Sequence, residues 1–238
     1  MDAIGLIRER VECCEAEGVS ILCCPEAILG GLADYAADPA PFAIPAGRLE
    51  TVLLPLASDR VTTIVGFTEL AEGGRLYNSA AIFRRGTVAG LYRKLHPAIN
   101  RSVYEAGEEV PVFRAGDLTF GILTCNDSNY SEPARRMAAL GATALFVPTN
   151  NGLPPGRAHA ELVAESRKAD IARAVGNRVW VIRADVAGRN GELVSFGSSG
   201  IVNPNGLVVV EAGELSADLI VAEITAPRRG AWPVPQTG

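Results

Sequence analysis

Apolar residues near the start of the chain recur at Ile4, Ile7, Val11 and Cys14, with charged residues between them. That spacing predicts an amphipathic helix over residues 2–17, with Gly18 as its stop. The period then changes. Val19 to Cys24 is an almost unbroken apolar run closed by Pro25, and it reads as a buried strand. Residues 30–47, rich in Gly, Ala and Pro, read as loop, and residues 48–58 as a short helix. Val61 to Leu70 predicts a strand and Gly73-Gly74 a turn; Asn78 to Arg84 and Val88 to Lys94 predict a hairpin about Arg85-Gly86. Residues 96–111 have no apolar period and read as a long loop, a length that in a compact domain often signals function.

In the second half, Phe120 to Thr124 predicts a strand, Glu132 to Leu140 a helix capped by Gly141, and Ala144 to Pro148 another strand. Residues 149–156 read as loop and residues 157–176 as a long helix. Val179 to Arg183, Ser199 to Val202, Leu207 to Val210 and Leu219 to Ile224 predict strands, the middle pair joined by the turn Asn203-Pro-Asn-Gly206. The proline-rich tail after residue 226 continues neither kind of element. No repeat or linker divides the chain, so residues 1–238 are expected to form one domain. Helices and strands alternate in the middle and strands adjoin in hairpins elsewhere, which predicts an α/β sandwich with mixed sheets.

Composition narrows the classes. With 48% apolar and 21% charged residues, the chain can bury a sizeable core. Its 22 basic and 27 acidic residues give a net charge of -5, and no basic run exceeds two residues, so nucleic-acid binding has no electrostatic footing. The absence of an apolar stretch of about 18 residues and of an export-signal pattern predicts neither a membrane span nor secretion, hence a cytoplasmic protein. The five cysteines follow no disulfide framework and are expected to be reduced.

Three residues stand where strand-like runs end: Glu26 after Pro25, Lys94 in Tyr92-Arg-Lys-Leu-His-Pro97, and Cys125 in Phe120-Gly-Ile-Leu-Thr-Cys-Asn-Asp-Ser-Asn-Tyr130. A thiol becomes a nucleophile when a cation or base favours the thiolate. Lys94 offers the cation, Glu26 a proton acceptor and donor, and the N–H of Asn126 a second oxyanion donor. Taken singly, each residue also has a plain structural reading: a packed cysteine, a solvated turn glutamate, a solvated lysine. His96 leaves a Cys–His pair open. The adjacent pairs Cys13-Cys14 and Cys23-Cys24 lack metal-site spacing and read as core.

Taken in order, these segments resemble the carbon-nitrogen hydrolase (nitrilase/amidase) superfamily. Pro25-Glu26, Tyr92-Arg-Lys-Leu-His-Pro97 and Gly121-Ile-Leu-Thr-Cys125-Asn-Asp127 are similar to its three motifs. Tyr104-Glu-Ala-Gly107, Arg173-Ala-Val-Gly-Asn177, Gly197-Ser-Ser-Gly200 and Asn203-Pro-Asn-Gly206 add to the likeness. The resemblance implies a four-layer αββα sandwich, a homodimer or larger homo-oligomer, and chemistry without metal or cofactor. It also implies a Glu26–Lys94–Cys125 triad forming a thioester, with Asn126 at the oxyanion and Ser128, Asn129, Tyr130 and Asn150 along the pocket. The chain departs from the pattern in three places. The strand that usually precedes the first helix is expected to be missing, as from a truncated start, Asn100 stands where a second glutamate is usual, and Gly176 stands where the helix motif carries Glu. N-carbamoyl amino-acid hydrolases follow Cys-Asn-Asp with paired arginines, one of which would clamp a carboxylate. Ser128-Asn129 takes their place here. An amidase acting on a small amide is therefore the leading expectation. An N-carbamoyl hydrolase, a nitrilase or a non-catalytic member of the fold are the alternatives.

Overall fold

The structure, a computed structural model, describes residues 2–30, 38–98, 103–152, 159–190 and 192–225. Parts of three expected loops (31–37, 99–102 with Asn100, and 153–158) and the tail from 226 lie outside these residues.

Helix α1 (Ala3–Glu17) begins where the Asp2 carboxylate accepts from Gly5 N at 3.2 Å, and it ends at Gly18, whose φ of 73° suits glycine. It turns Ile7, Val11 and Cys14 inward. The first sheet follows: β1 (Ile21–Cys23), β2 (Ile44–Pro45), β3 (Thr62–Leu70), β4 (Leu76–Arg84), β5 (Thr87–Arg93) and β6 (Tyr104–Glu105), with the short helix α2 (Leu49–Leu53) between β2 and β3. Its main path runs β1-β3-β4-β5, with β1 parallel to β3 and the two hairpins antiparallel.

Strands β3 and β4 are buried on both faces, so neither alternates regularly between apolar and polar, and Thr63, Thr68, Glu69, Asn78 and Ser79 are buried among their apolar residues. Val65, Phe67, Ala81 and Phe83 pack with the buried side chains of α1. Ile64, Ala80, Ile82 and Tyr92 point the other way, into a core shared with the second sheet.

That sheet comprises β7 (Phe113–Ala115), β8 (Leu118–Ile122), β9 (Ala144–Thr149), β10 (Trp180–Asp185), β13 (Gly200–Val202) and β14 (Val208–Glu211), in the order β14-β13-β10-β9-β8-β7. Its centre, β8-β9-β10, is parallel. Parallel neighbours need crossovers; α3 (Ser131–Ala139) and α4 (His159–Asn177) supply them. Phe120 meets Phe146 edge-on at 5.2 Å in the core. The layers therefore run helix, sheet, sheet, helix, as expected. A small hairpin, β11 (Gly188–Asn190) with β12 (Leu193–Ser195), stands apart from both sheets.

One expected strand is corrected. Leu219–Ile224 pairs with no strand among the described residues. A strand forms only where its backbone comes within hydrogen-bonding distance of an edge, and this segment instead lines a groove of about 630 Å³. Ile21, Leu22 and Cys23 of β1 line the same groove, and among the described residues β1 has a ladder neighbour, β3, on one side. The segment is anchored at its end, where Trp180 Nε1 donates to Thr225 O at 3.2 Å.

The two sheets meet at one end of their strands. Glu26 N, just past β1, donates to Thr149 O at the end of β9, at 3.3 Å. The turn after β1 lies directly on β3: a Cβ added to Gly66 would stand 2.5 Å from both Pro25 O and Ala27 N and 2.9 Å from Glu26 Cα. Only glycine allows that approach. Gly66→Ala is therefore expected to lower stability by about 1–3 kcal/mol through forced backbone displacement, read by chemical denaturation. Unchanged stability would mean that the turn does not rest on β3 as described.

Candidate active site

Glu26 and Lys94 come together in the interior. Lys94 Nζ donates to Glu26 Oε1 at 2.6 Å, with the side chains 3% and 1% exposed. Asn78, at the head of β4, donates its Nδ2 to the same oxygen at 2.7 Å, and Asn150 N donates to Oε2 at 3.0 Å. Three donors from three segments thus hold one carboxylate. Burial alone disfavours the lysine charge. Glu26, with lesser help from Cys125, its hydrogen bond and Asp127, outweighs that, so Lys94 titrates above its usual range and stays protonated.

Lys94 is itself fixed by backbone bonds. Its N–H donates to Asn78 O at 2.8 Å, and its carbonyl accepts from Gly107 N at 2.8 Å. Gly107 sits against the carbonyl of Arg93 so closely that a Cβ there would collide. Arg93, next in the strand, reaches the opposite way. It grips the fully buried Glu69 through Nη2 at 2.6 Å and Nε at 2.9 Å, and Ser79 adds a third bond to that carboxylate.

Cys125 sits on a tight turn. Its φ of 47° is a left-handed value that a residue bearing a side chain seldom adopts. Ala27, directly after Glu26, has φ 46°. Strain of this kind persists only where surrounding bonds over-determine the backbone, and Asp127 supplies them. Its buried carboxylate accepts from Tyr92 OH (2.8 Å), Thr124 N (3.2 Å), His96 N (2.8 Å), Leu95 N (3.4 Å) and His96 Nδ1 (3.0 Å). One side chain of the cysteine turn thereby fastens the two residues that follow Lys94.

Beneath the turn lies a buried cation. Arg183 pairs with Asp170 of α4 through Nη2 at 2.6 Å and Nε at 2.8 Å, and donates to Thr149 Oγ1 at 2.7 Å and Ser128 Oγ at 3.0 Å. Ser128 Oγ in turn donates to the Cys125 carbonyl at 2.8 Å. Burial raises the Cys125 pKa first and Glu26 adds to it. Lys94 and Arg183 pull it back and Asp185 raises it again, leaving it pushed up to about 12. The resting sulfur is thus a thiol that two cations already partly favour as thiolate.

The expected pocket residues divide. Asn126 is half-buried, with its Nδ2 donating to His96 O at 3.0 Å, and Asn129 is exposed, donating to Asn126 Oδ1 at 3.1 Å. Tyr130 is exposed and stacks on His96 at 3.8 Å. Ser128 is turned inward as a brace under the cysteine rather than a pocket wall. Asn150 reaches Glu26 through its backbone, while its Oδ1 accepts from Gly152 N. His96 is engaged with Asp127, and the thiol's hydrogen bond runs to Asn151 Oδ1 at 3.8 Å, so the structure does not form a Cys–His pair. Asn78, Asp170 and Arg183 were not expected at the site. Arg183 and Asn78 leave a trace in the sequence as polar residues inside or heading apolar strands; Asp170 on a charged helix leaves none.

Comparison with known proteins agrees with this architecture. Residues 3–234 match the model of the carbon-nitrogen hydrolase family, and the chain belongs to that family. It is 32% identical over 183 residues to a nitrilase of Pyrococcus abyssi, covering 76% of this chain and 66% of that protein. It is also 32% identical over 168 residues to an (R)-stereoselective amidase of a Pseudomonas species, covering 69% of this chain and 58% of that one. The chain thus spans less than two thirds of the length of these curated relatives. Among solved structures, Saccharomyces cerevisiae Nit3, of the nitrilase superfamily, superposes with a TM-score of 0.75 at 22% identity over 89% of this chain and 78% of that one. An amidase from a Nesterenkonia species gives 0.72 at 23%, over 88% and 79%. At such identities the likeness is one of fold.

The elevated thiol pKa has a direct consequence. The rate of Cys125 alkylation by iodoacetamide, followed on its own peptide by mass spectrometry, should rise about tenfold per pH unit from 7 to 10, because only thiolate reacts. A plateau near pH 9 would contradict the burial and Glu26 effects described.

Proposed function

We propose that this chain is a cysteine-dependent amidase that releases ammonia from a small amide through a thioester. The observation that carries the reading is the buried Glu26–Lys94 pair coupled to a strained thiol. A lysine ammonium and a carboxylate are costly to bury together, and the effect of both charges on the Cys125 thiol is a reason to keep them.

In the reaction, the Cys125 sulfur attacks the amide carbon as its proton passes to Glu26. The carbonyl electron pair moves to oxygen, where Lys94 and the Asn126 N–H stabilise it. Glu26 returns the proton to the nitrogen, the C–N bond breaks and ammonia leaves. Glu26 then takes a proton from water, which attacks the thioester; the C–S bond breaks and the thiol recovers its proton. The rim residues Asn126, Asn129 and Tyr130, with no arginine among them, suit a neutral or polar acyl group rather than a carboxylate.

Ammonia release from a panel of small amides, carbamoyl compounds and nitriles tests the reading. Cys125→Ala should lose about a thousandfold or more in turnover, and Glu26→Gln about a hundredfold to ten-thousandfold. Release by Cys125→Ala at the rate of the unmodified protein would refute it.

A further inference from the structure

Asn151 lies beside the thiol and is held more firmly than its position in a loop requires. Its backbone N–H donates to Asp185 Oδ1 at 3.1 Å. Its side-chain Nδ2 faces three oxygens: Asp185 Oδ2 at 3.1 Å, Ser166 Oγ at 3.1 Å and Ser198 Oγ at 3.3 Å. The two ends of a carboxamide have nearly the same shape, so hydrogen bonds decide which one faces a neighbour. Here Asp185 decides. It is 6% exposed and also accepts from Ser198 N at 2.9 Å and Ser198 Oγ at 2.6 Å. Backbone N–H groups can only donate, so this carboxylate is an acceptor on both oxygens. A reversed Asn151 amide would set oxygen against oxygen. The end left for Cys125 is therefore Oδ1, which can accept but not donate, at 3.8 Å from Sγ.

We propose that Asn151 is a positioning residue for the nucleophile: its Oδ1 takes the Cys125 S–H and holds the sulfur in one orientation, and Asp185 fixes the carboxamide that does so. This rests on reading Cys125 as the nucleophile. A hydrogen bond to the neutral form of an acid favours that form, so Asn151 keeps the resting sulfur protonated. The proton is released only when substrate enters and Glu26 takes it up. The arrangement guards the thiol between turnovers and spends a little of its reactivity to do so. The charged groups acting on Cys125 are Glu26, Lys94, Arg183 and Asp185; Asn151 acts alongside them without a charge of its own.

The test separates resting reactivity from turnover. Cys125 alkylation by iodoacetamide (sulfur–carbon bond formed, iodide lost) and amide hydrolysis are both measured against pH. Asn151→Ala should alkylate about threefold to tenfold faster at pH 8, since a lost hydrogen bond of ordinary strength lowers the thiol pKa by that factor. Its kcat should fall about tenfold or more with KM within about twofold. Asp185→Asn, which keeps the shape but frees the Asn151 amide to turn over, should move both quantities in the same directions. An alkylation profile unmoved in Asn151→Ala overturns the proposal whatever Asp185→Asn does, because Asp185→Asn also removes a charge that acts on Cys125 directly. If the unmodified protein hydrolyses no amide yet both profiles shift, the positioning role stands and the amidase reading falls. If turnover is normal and the profiles do not move, the reverse holds.

Discussion

The interior ion pair of Glu26 and Lys94 is the constraint around which the rest is arranged. Each ion loses its hydration on burial, a penalty of several kcal/mol that their attraction offsets only with good geometry and further hydrogen bonds. Those bonds come from across the fold: Asn78 at the head of β4, Asn150 at the end of β9, and the backbone of Gly107 behind Lys94. The two sheets must therefore end at the same place, and the turn after β1 must lie flat on β3. Gly66 permits the second, and the Glu26–Thr149 backbone bond records the first.

The cysteine turn is the complement of that pair. Its strained φ is held by Asp127 from one side and by the Arg183–Ser128 relay from below. Asp127 ties the turn to the residues after Lys94, and Arg183 ties it to α4 and to the end of β9. The thiol is thus placed by elements of both sheets. The electrostatics follow from the same placement: burial and Glu26 hold the proton on sulfur, while Lys94 and Arg183 lower the cost of releasing it.

Much of this was legible along the chain, for identifiable reasons. The strand before Glu26 writes itself as the apolar run Val19 to Cys24, and the capped, periodic α1 as a helix with a glycine stop. Glu26, Lys94 and Cys125 stand at the ends of such runs, where side chains of an α/β sheet converge. What stayed hidden depends on contacts distant in sequence. Asn78 meets Glu26 across 52 positions, and Arg183 meets Ser128 across 55. Ser128 reads as a polar rim residue because its neighbours are polar, yet its hydroxyl is consumed inside. Leu219–Ile224 has the composition of a strand, but composition does not show whether the backbone comes close enough to an edge to pair.

In the proposed reaction Cys125 carries the acyl group and Glu26 drives both its arrival and its removal. An activated phenyl ester at raised pH isolates the second half, because its leaving group departs without needing a proton and solvent base takes the thiol proton in place of Glu26. Glu26→Gln should therefore acylate and then stall, and acid-quenched protein should show by mass spectrometry one acyl group on the Cys125 peptide. An acyl group on another cysteine, or none on Cys125, would contradict the account.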